Sequence, residues 1–259
     1  MKGADMAFLF FFIGLFFGSF FNVVIYRVPR DLSIVRPGSR CPACSTPIAW
    51  YGNIPLLSYL FLRGRCAACK APIALRYPLV ELSGGLIFLA GYLYGGLTLS
   101  AVDLIVFLST LFIVTWIDFT HMIIPWEVLV PAFLWRLFYN IKLGIIGERL
   151  LSFLLFFALI WLIAFLGKAF YKKEAMGGGD IYYTAFLAFF TGWKSGIILL
   201  LAAALSAALI GYLYAFITRK NVRETMLPFG PFLSLGAVIA FFWGPALLSW
   251  YMGLFPPAG

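Results

Sequence analysis

Charged residues are scarce in this chain. Only 11% of its 259 residues are charged and 63% are hydrophobic, whereas a soluble domain carries about 25% charged residues. This shortage excludes an ordinary soluble domain. It predicts an all-α polytopic membrane protein whose apolar runs are mostly membrane spans of about 20 residues.

Histidine is almost absent as well, because His121 is the only one in the chain. Ser-His-Asp hydrolysis would have one available base, and no Gly-x-Ser-x-Gly elbow accompanies it. The sequence also shows no P-loop, no nucleotide-binding fingerprint, no histidine-rich metal motif and no internal repeat. A lone histidine is usually a polar loop residue, and a role at a functional site is the alternative for His121.

Long apolar runs are abundant instead. Eight of them predict membrane helices, at approximately residues 6–26, 79–95, 100–117, 123–141, 150–167, 180–192, 195–217 and 230–252. The run near residue 180 is short and has a glycine-rich start. We therefore expect a first transmembrane helix (residues 1–26), one polar insert (27–78) and a seven-helix membrane domain (79–259).

Basic residues predict the orientation of these helices. The segment 27–78 holds eight Lys and Arg residues against one acid, Asp31. With eight spans, two further basic clusters, at residues 168–173 and 219–223, fall on the same side. That side is cytoplasmic by the positive-inside rule. Insertion and contact with anionic lipid head groups then explain the net charge of +9, and nucleic acid is not an expected partner.

All four cysteines lie in the polar insert, as Cys41-x-x-Cys44 and, 21 residues later, Cys66-x-x-Cys69. Paired knuckles at this spacing are typical of a tetrahedral zinc site. Another thiophilic metal, or free or redox-active thiols, are the alternatives. Four sulfurs fill the coordination shell, so the expected metal is structural. It would staple an insert that is too short to bury much core.

The motif Gly177-Gly178-Gly179-Asp180 places an acid at the start of an apolar run. Ionisable groups in such places are costly and mark functional sites, but hydrolysis needs a second acid. Asp118 is the best candidate, because the topology puts both aspartates at cytoplasmic helix ends. Two such aspartates share one proton, so one can activate water while the other donates to a scissile carbonyl. A transporter with an acid pair fits the spacing similarly well.

Three other features leave alternatives open. Asn22, near the inner end of the first span, makes either an interhelical hydrogen bond or a substrate contact. Glu81, just inside the second span, either pairs with a loop arginine or serves the site. The segment 228–233, Pro-Phe-Gly-Pro-Phe-Leu, is either a simple helix start or a stiff stretch that presents its backbone to an extended peptide.

Taken together, these features resemble a bacterial type IV prepilin peptidase. The matching stretches run in family order over nearly the whole chain, and their combination is highly specific although each alone is weak. They are residues 18–27 (Gly-Ser-Phe-Phe-Asn-Val-Val-Ile-Tyr-Arg), the four-cysteine insert with 53–55 and 58–60, then 76–82, 117–118 with 122–125, 177–180 and 228–232.

The resemblance implies an intramembrane aspartic protease of the bacterial inner membrane, with Asp118 and Asp180 as its catalytic pair. Such proteins cleave a short basic leader from type IV prepilins and pseudopilins at the cytoplasmic face. Many then methylate the new N-terminal amine with S-adenosylmethionine, and a cysteine-bearing loop distinguishes these bifunctional members. We expect Asn22 and Glu81 to contact the substrate or the methyl donor. The alternative is a zinc-stapled transporter or assembly factor without hydrolytic activity.

Two positions depart from the family pattern. Trp126 stands where the family usually has an aspartate, and Glu127 follows it. Tyr182 stands where a lysine usually follows the catalytic aspartate. These departures leave the aspartate pair intact and bear on substrate positioning and on how the pair shares its proton.

Overall fold

The structure is a computed structural model that describes residues 3–171, 177–218 and 227–254. Across these ranges the chain forms α-helices and two 3-10 turns, Val28–Arg30 and Trp50–Asn53, and no strand. Met176 and much of the two smaller basic clusters lie outside the described residues; the basic residues concerned are Lys172, Lys173, Arg219, Lys220 and Arg223. The orientation that these clusters indicate stays a prediction.

A helix occupies each of the eight predicted runs, and a further short helix lies inside the polar insert. In chain order the helices are α1 (Gly3–Arg27), α2 (Leu57–Phe61), α3 (Arg76–Gly95), α4 (Leu99–His121), α5 (Trp126–Lys142), α6 (Ile146–Tyr171), α7 (Gly178–Thr191), α8 (Trp193–Thr218) and α9 (Gly230–Gly253).

Within the described ranges, six helices (α1, α3, α4, α6, α8 and α9) are long and apolar enough to cross a membrane. The helices α5 and α7 have 17 and 14 residues, whereas a span needs about 20 residues to cross the hydrocarbon core. The chain is thus an all-α, multi-pass membrane protein. Two of its apolar helices are shorter than a full span.

The chain divides into two compact units, Met1–Ser109 and Thr110–Gly259. The first contains α1, the insert with α2, α3 and the beginning of α4. The second contains the end of α4 and the helices α5 to α9. The predicted division at residues 26 and 78 follows polarity along the chain, whereas this division follows packing, and it groups α1 with α3.

In the first unit, α1 and α3 pack directly along each other. A Cβ on Gly18 would lie 2.6 Å from the Glu81 carbonyl oxygen, and a Cβ on Gly84 would lie 2.5 Å from the Gly14 carbonyl oxygen. Atoms this close overlap, so the two backbones meet only because these positions lack a Cβ. The insert begins where α1 ends and finishes where α3 begins, so this α1–α3 seam holds both of its ends.

The insert contains two knuckles of matching sequence, residues 40–48 and 65–73. Each opens with Arg-Cys-x-x-Cys and closes with Pro-Ile, at an offset of 25 residues. The expectation of no internal repeat is therefore wrong. The similarity is confined to these two short stretches, and the chain between them has no counterpart.

The two knuckles also share their backbone conformation. The Cys41 N–H donates to the Thr46 carbonyl at 3.0 Å, and the Cys66 N–H donates to the Ala71 carbonyl at 2.8 Å. The residue after the second cysteine has a positive φ in both, 57° in the first knuckle and 61° in the second. These turns aim both thiols of each knuckle to one side.

In the second unit, α7 is enclosed by its neighbours, and every residue from 183 to 190 is buried. A helix end in such surroundings has carbonyl groups that need donors. The Phe190 carbonyl accepts hydrogen bonds from Arg136 Nη2 at 2.7 Å and from Arg149 Nη1 at 3.2 Å. Two cations at this end also complement the helix dipole. This end of α7 is thereby fixed, and the opposite end carries Asp180.

We expect Gly18→Ala to destabilise the first unit, because its methyl group would overlap the α3 backbone and overpacking costs about 1–3 kcal/mol. Thermal unfolding of the purified variant in detergent should begin at a lower temperature than for the wild type. Gly147→Ala is the matched control, since no atom lies within 4 Å of a Cβ at that helical position. Equal stability of the two variants would contradict the role given to the α1–α3 seam.

Candidate active site and metal centre

Asp118 lies in the last turn of α4, where it is only 5% exposed. Its Oδ2 accepts a hydrogen bond from the Gly230 backbone N–H at 2.8 Å. Gly230 is the first residue of α9, and the first N–H groups of a helix have no partner within the helix. Asp118 therefore caps α9 from a different part of the chain, and the α9 dipole favours a negative charge at that position.

The close approach between Asp118 and α9 requires glycine at position 230. A Cβ there would lie 2.6 Å from Asp118 Oδ2, so any side chain would push the carboxylate away. Pro231 follows within the first turn, a position where its missing N–H costs nothing. The segment 228–233 is thus a helix start, and Asp118 uses the backbone donor that this start leaves free.

Asp180 lies in the first turn of α7. Gly177, which caps the helix in an extended conformation, provides a backbone hydrogen bond to the Asp180 carboxylate. A Cβ on Gly179 would lie 3.2 Å from Ile124 Cβ, which is tighter than most real contacts. The glycine motif therefore lets the link between α4 and α5 pack against the start of α7.

The structure brings the two aspartates together. The charge of Asp118 acts on the Asp180 carboxyl group; Asp118 is buried, whereas Asp180 is partly exposed. Two carboxylates that feel each other's charge do not ionise together easily, so the pair is suited to share one proton. An arrangement of this kind can hold one carboxylate as a base and one carboxyl group as an acid.

Two residues near the pair were not identified from the sequence. Tyr183, which lies one turn beyond Asp180, is completely buried, and its hydroxyl lies 2.6 Å from Ser234 Oγ. Ser234 Oγ in turn donates to the Gly230 carbonyl at 2.9 Å. A tyrosine in an apolar helix suggests a buried hydroxyl that needs a hydrogen-bond partner. The sequence does not show which residue that is, because Ser234 lies 51 residues further along the chain.

The other residues of this region that stand out in the sequence are His121, Trp126, Glu127 and Tyr182. His121 Nδ1 is 2.7 Å from the Thr120 hydroxyl. Glu127, Trp126 and Tyr182 are all exposed. In the part of the chain that the structure describes, none of these side chains hydrogen-bonds to either aspartate. Trp126 and Tyr182, which depart from the family pattern, therefore take no part in the hydrogen bonds of the pair.

Asn22 and Glu81 both lie on the α1–α3 seam. Asn22 Nδ2 donates to the Tyr77 carbonyl at 3.0 Å, which is the interhelical bond that the sequence leaves open. Glu81 Oε2 accepts from the Leu56 N–H at 2.8 Å, and the Ser19 hydroxyl also bonds to this carboxylate. Glu81 therefore hydrogen-bonds to the backbone of the insert, and it does not form the ion pair with a loop arginine that the sequence leaves open.

One polar atom of the seam has no partner. Asn22 Oδ1 is buried and accepts no hydrogen bond from the described residues, although a buried acceptor normally has a donor. Glu81 adds a carboxylate to the same seam. These two acceptors suit a cationic or hydrogen-bond-donating ligand group.

The four cysteines form a single cluster. Their Sγ atoms all lie within 4.8 Å of one another, and Cys41 Sγ and Cys69 Sγ are 3.8 Å apart. A tetrahedral ion with bonds to sulfur of about 2.3 Å requires sulfur separations of about 3.8 Å. Hydrogen bonds from the side chain and backbone of Thr46 lower the pKa of the Cys44 thiol to about 6, whereas the neighbouring thiols raise the pKa of Cys69 to about 11; a bound metal would favour the thiolate form of all four. The cluster can hold one thiophilic metal ion.

Two family models match the chain in succession. The model described as Bacterial Peptidase A24 N-terminal domain matches residues 12–94, which include the cysteine cluster and the α1–α3 seam. The model described as Type IV leader peptidase family matches residues 105–212, which include both aspartates. No solved structure matches the chain significantly.

Several named proteins are similar over most of this chain. A prepilin leader peptidase/N-methyltransferase of Myxococcus xanthus (strain DK1622) is 42% identical, over 86% of this chain and 67% of its own length. A protein of the same description from Aeromonas hydrophila is 33% identical, over 94% of this chain and 93% of its own. Another from Pseudomonas aeruginosa is 32% identical, over 93% and 91%.

We expect Cys41→Ser and Cys66→Ser each to lose the bound metal, because each removes one of the four thiolates. Mass-spectrometric metal analysis of freshly purified protein should show a stoichiometric amount in the wild type and background in the variants. Ser39→Ala, just outside the first knuckle, is the matched control and should retain the metal. Metal-free wild-type protein would contradict the site.

Proposed function

The chain belongs to the type IV leader peptidase family, and from this we propose that it cleaves the leader of type IV prepilins or pseudopilins and methylates the new N-terminal amine. The methylation part rests on the relatives, whose names join peptidase and N-methyltransferase. The cleavage part rests on one observation, the meeting of Asp118 and Asp180 in one site. A transporter is no longer needed to account for the acid pair.

In the proposed cleavage, the ionised aspartate takes a proton from a water molecule whose oxygen attacks the scissile carbonyl carbon. The protonated aspartate donates its proton to the carbonyl oxygen, which gives a neutral gem-diol. When the C–N bond breaks, the leaving amine takes the proton that came from water. The other carboxylate recovers its proton from the gem-diol, so the pair returns to its starting state.

The Gly230 N–H supports this chemistry by holding one oxygen of Asp118. The second oxygen is then left to face the water or the shared proton. Preorganised donors of this kind spare the site a rearrangement during the reaction. The same bond holds the Asp118 side chain, in the last turn of α4, against the start of α9.

We propose that the site faces the cytoplasm at the bacterial inner membrane. The excess of Lys and Arg in the insert supports this orientation. Asp118 ends one helix and Asp180 begins another, so their site belongs to helix ends, where water has access. A substrate with an apolar segment and a polar leader can reach such a site from the membrane interface.

The insert is also suited to contact anionic lipid head groups. Trp50 and Phe61 are 80% and 83% exposed, which is costly for large apolar side chains in water but favourable at a membrane interface. Eight basic residues in segment 27–78 add attraction to an anionic surface. Both ends of the insert join apolar helices, which keep it near such a surface.

We further propose that the metal of the cysteine cluster is zinc and that its role is structural. Four thiolates complete a tetrahedral shell and leave no position for a substrate. The insert has little buried apolar surface apart from Cys41 and Pro55. Metal binding therefore supplies the folding free energy that packing does not.

Methyl transfer is proposed for the first unit. S-adenosylmethionine supplies an electrophilic methyl group on a cationic sulfur when bound. Asn22 Oδ1 and the Glu81 carboxylate are acceptors that suit such a cation or the incoming ammonium group. The amine must lose a proton before it can act as a nucleophile, and Glu81 would accept that proton.

We expect Asp118→Asn and Asp180→Asn each to lower the cleavage rate by about 100-fold or more, because the two proton-transfer roles are not interchangeable. Cleavage of a model prepilin by purified protein in detergent, followed on gels and by mass spectrometry, measures this. Glu127→Gln, an exposed acid at the start of α5, should cleave at the wild-type rate. Wild-type cleavage by Asp180→Asn would disprove the aspartate pair.

We expect Glu81→Gln to lower methylation more than cleavage, because both aspartates lie outside the first unit. Mass spectrometry of the same reaction scores the two products separately, with a labelled methyl donor present. Ser83→Ala on the same helix is the matched control and should keep both activities. A parallel fall of both activities in Glu81→Gln would show that Glu81 supports the insert or docks the substrate instead.

A further inference from the structure

A buried chain of hydrogen bonds links α7 to the start of α9. Tyr183, one turn beyond Asp180, has its hydroxyl 2.6 Å from Ser234 Oγ. Ser234 Oγ lies 2.9 Å from the Gly230 carbonyl oxygen, and the N–H of Gly230 bonds to Asp118. The two side chains are 0% and 6% exposed, so no solvent competes for these bonds.

The direction of each bond follows from the number of hydrogens. The Gly230 carbonyl oxygen can only accept, so Ser234 must donate its one hydroxyl hydrogen to it. The Ser234 oxygen therefore accepts from the Tyr183 hydroxyl. The two hydroxyl bonds therefore run in one direction, from Tyr183 to Ser234 and from Ser234 to the Gly230 carbonyl, and bonds in such a buried network strengthen one another.

We propose that Tyr183 and Ser234 are positioning residues that set the distance between the two aspartates. Asp180 and Tyr183 belong to consecutive turns of α7, so a tie from Tyr183 to the start of α9 fixes α9 relative to Asp180. The Gly230 residue at that start then fixes Asp118. This inference rests on the proposed function, because it assigns these side chains a role in the same aspartate pair.

The alternative is that the two hydroxyl groups only stabilise the core. Apolar packing alone would still hold α7 against α9, but it allows small sliding movements that a hydrogen-bond chain does not. A misplacement of about 1 Å can cost about 100-fold in rate. The two roles therefore differ in which measured quantity changes, the turnover number or the unfolding temperature.

The test uses Tyr183→Phe, which keeps the ring and removes the hydroxyl, together with Ser234→Ala and the double variant. We expect kcat for prepilin cleavage to fall about 10-fold in each single variant with KM nearly unchanged, since a partial misplacement costs less than the full effect. The double variant should fall no further than Ser234→Ala, because that substitution already removes the bond that Tyr183→Phe removes. Ser234→Thr, which keeps a hydroxyl, should restore most of the rate.

Tyr212→Phe and Ser206→Ala, both on α8, are the matched controls, and their kcat should equal that of the wild type. Wild-type kcat in Tyr183→Phe, or losses that simply add in the double variant, would overturn the proposal. If Ser234→Ala does not fold, Tyr183→Phe and its measured unfolding temperature decide alone. Full activity in Asp180→Asn would instead remove the proposed function, so the two failures are distinguishable.

Discussion

The hydrogen bond from the Gly230 N–H to the Asp118 carboxylate is the contact on which the second unit depends. It satisfies two buried polar groups, each of which would be costly without a partner. The first turn of α9 lacks acceptors for its N–H groups, and a buried carboxylate lacks the water that would solvate it. The absence of a Cβ at Gly230 lets both needs be met by one bond. An acid that serves the fold is thereby also available for chemistry.

The helices and the aspartate pair could be predicted from the sequence because both leave one-dimensional signals. An apolar run in a chain with few charges must be a helix, and the glycine motif before Asp180 marks an unusual helix start. The Gly230 donor could not be predicted, because every residue but proline has an N–H and no pattern shows which one faces an acid. Tyr183 and Ser234 resemble ordinary core residues for the same reason.

In the first unit, the sequence predicts which polar residues matter but not which atoms they bind. Asn22 and Glu81 stand out in the sequence as polar residues in apolar helices, yet their partners are the backbone atoms of Tyr77 and Leu56, which carry no sequence signature. The length of α7 also depends on packing, since a helix enclosed by protein need not match the thickness of a bilayer. The cysteine cluster was predictable because its four ligands have to be cysteines.

The duplicated knuckles have a consequence for how the insert responds to its surroundings. Each knuckle contributes two of the four clustered thiols, so neither is a complete metal-binding module by itself, and the two knuckles are separated by 21 residues. Closing that loop costs conformational entropy, which metal binding by all four thiols would offset. A metal ion bound by all four thiols would therefore couple the order of the insert to the supply of metal in the cell, whereas the described contacts of Asp118 and Asp180 are to backbone N–H groups and to each other.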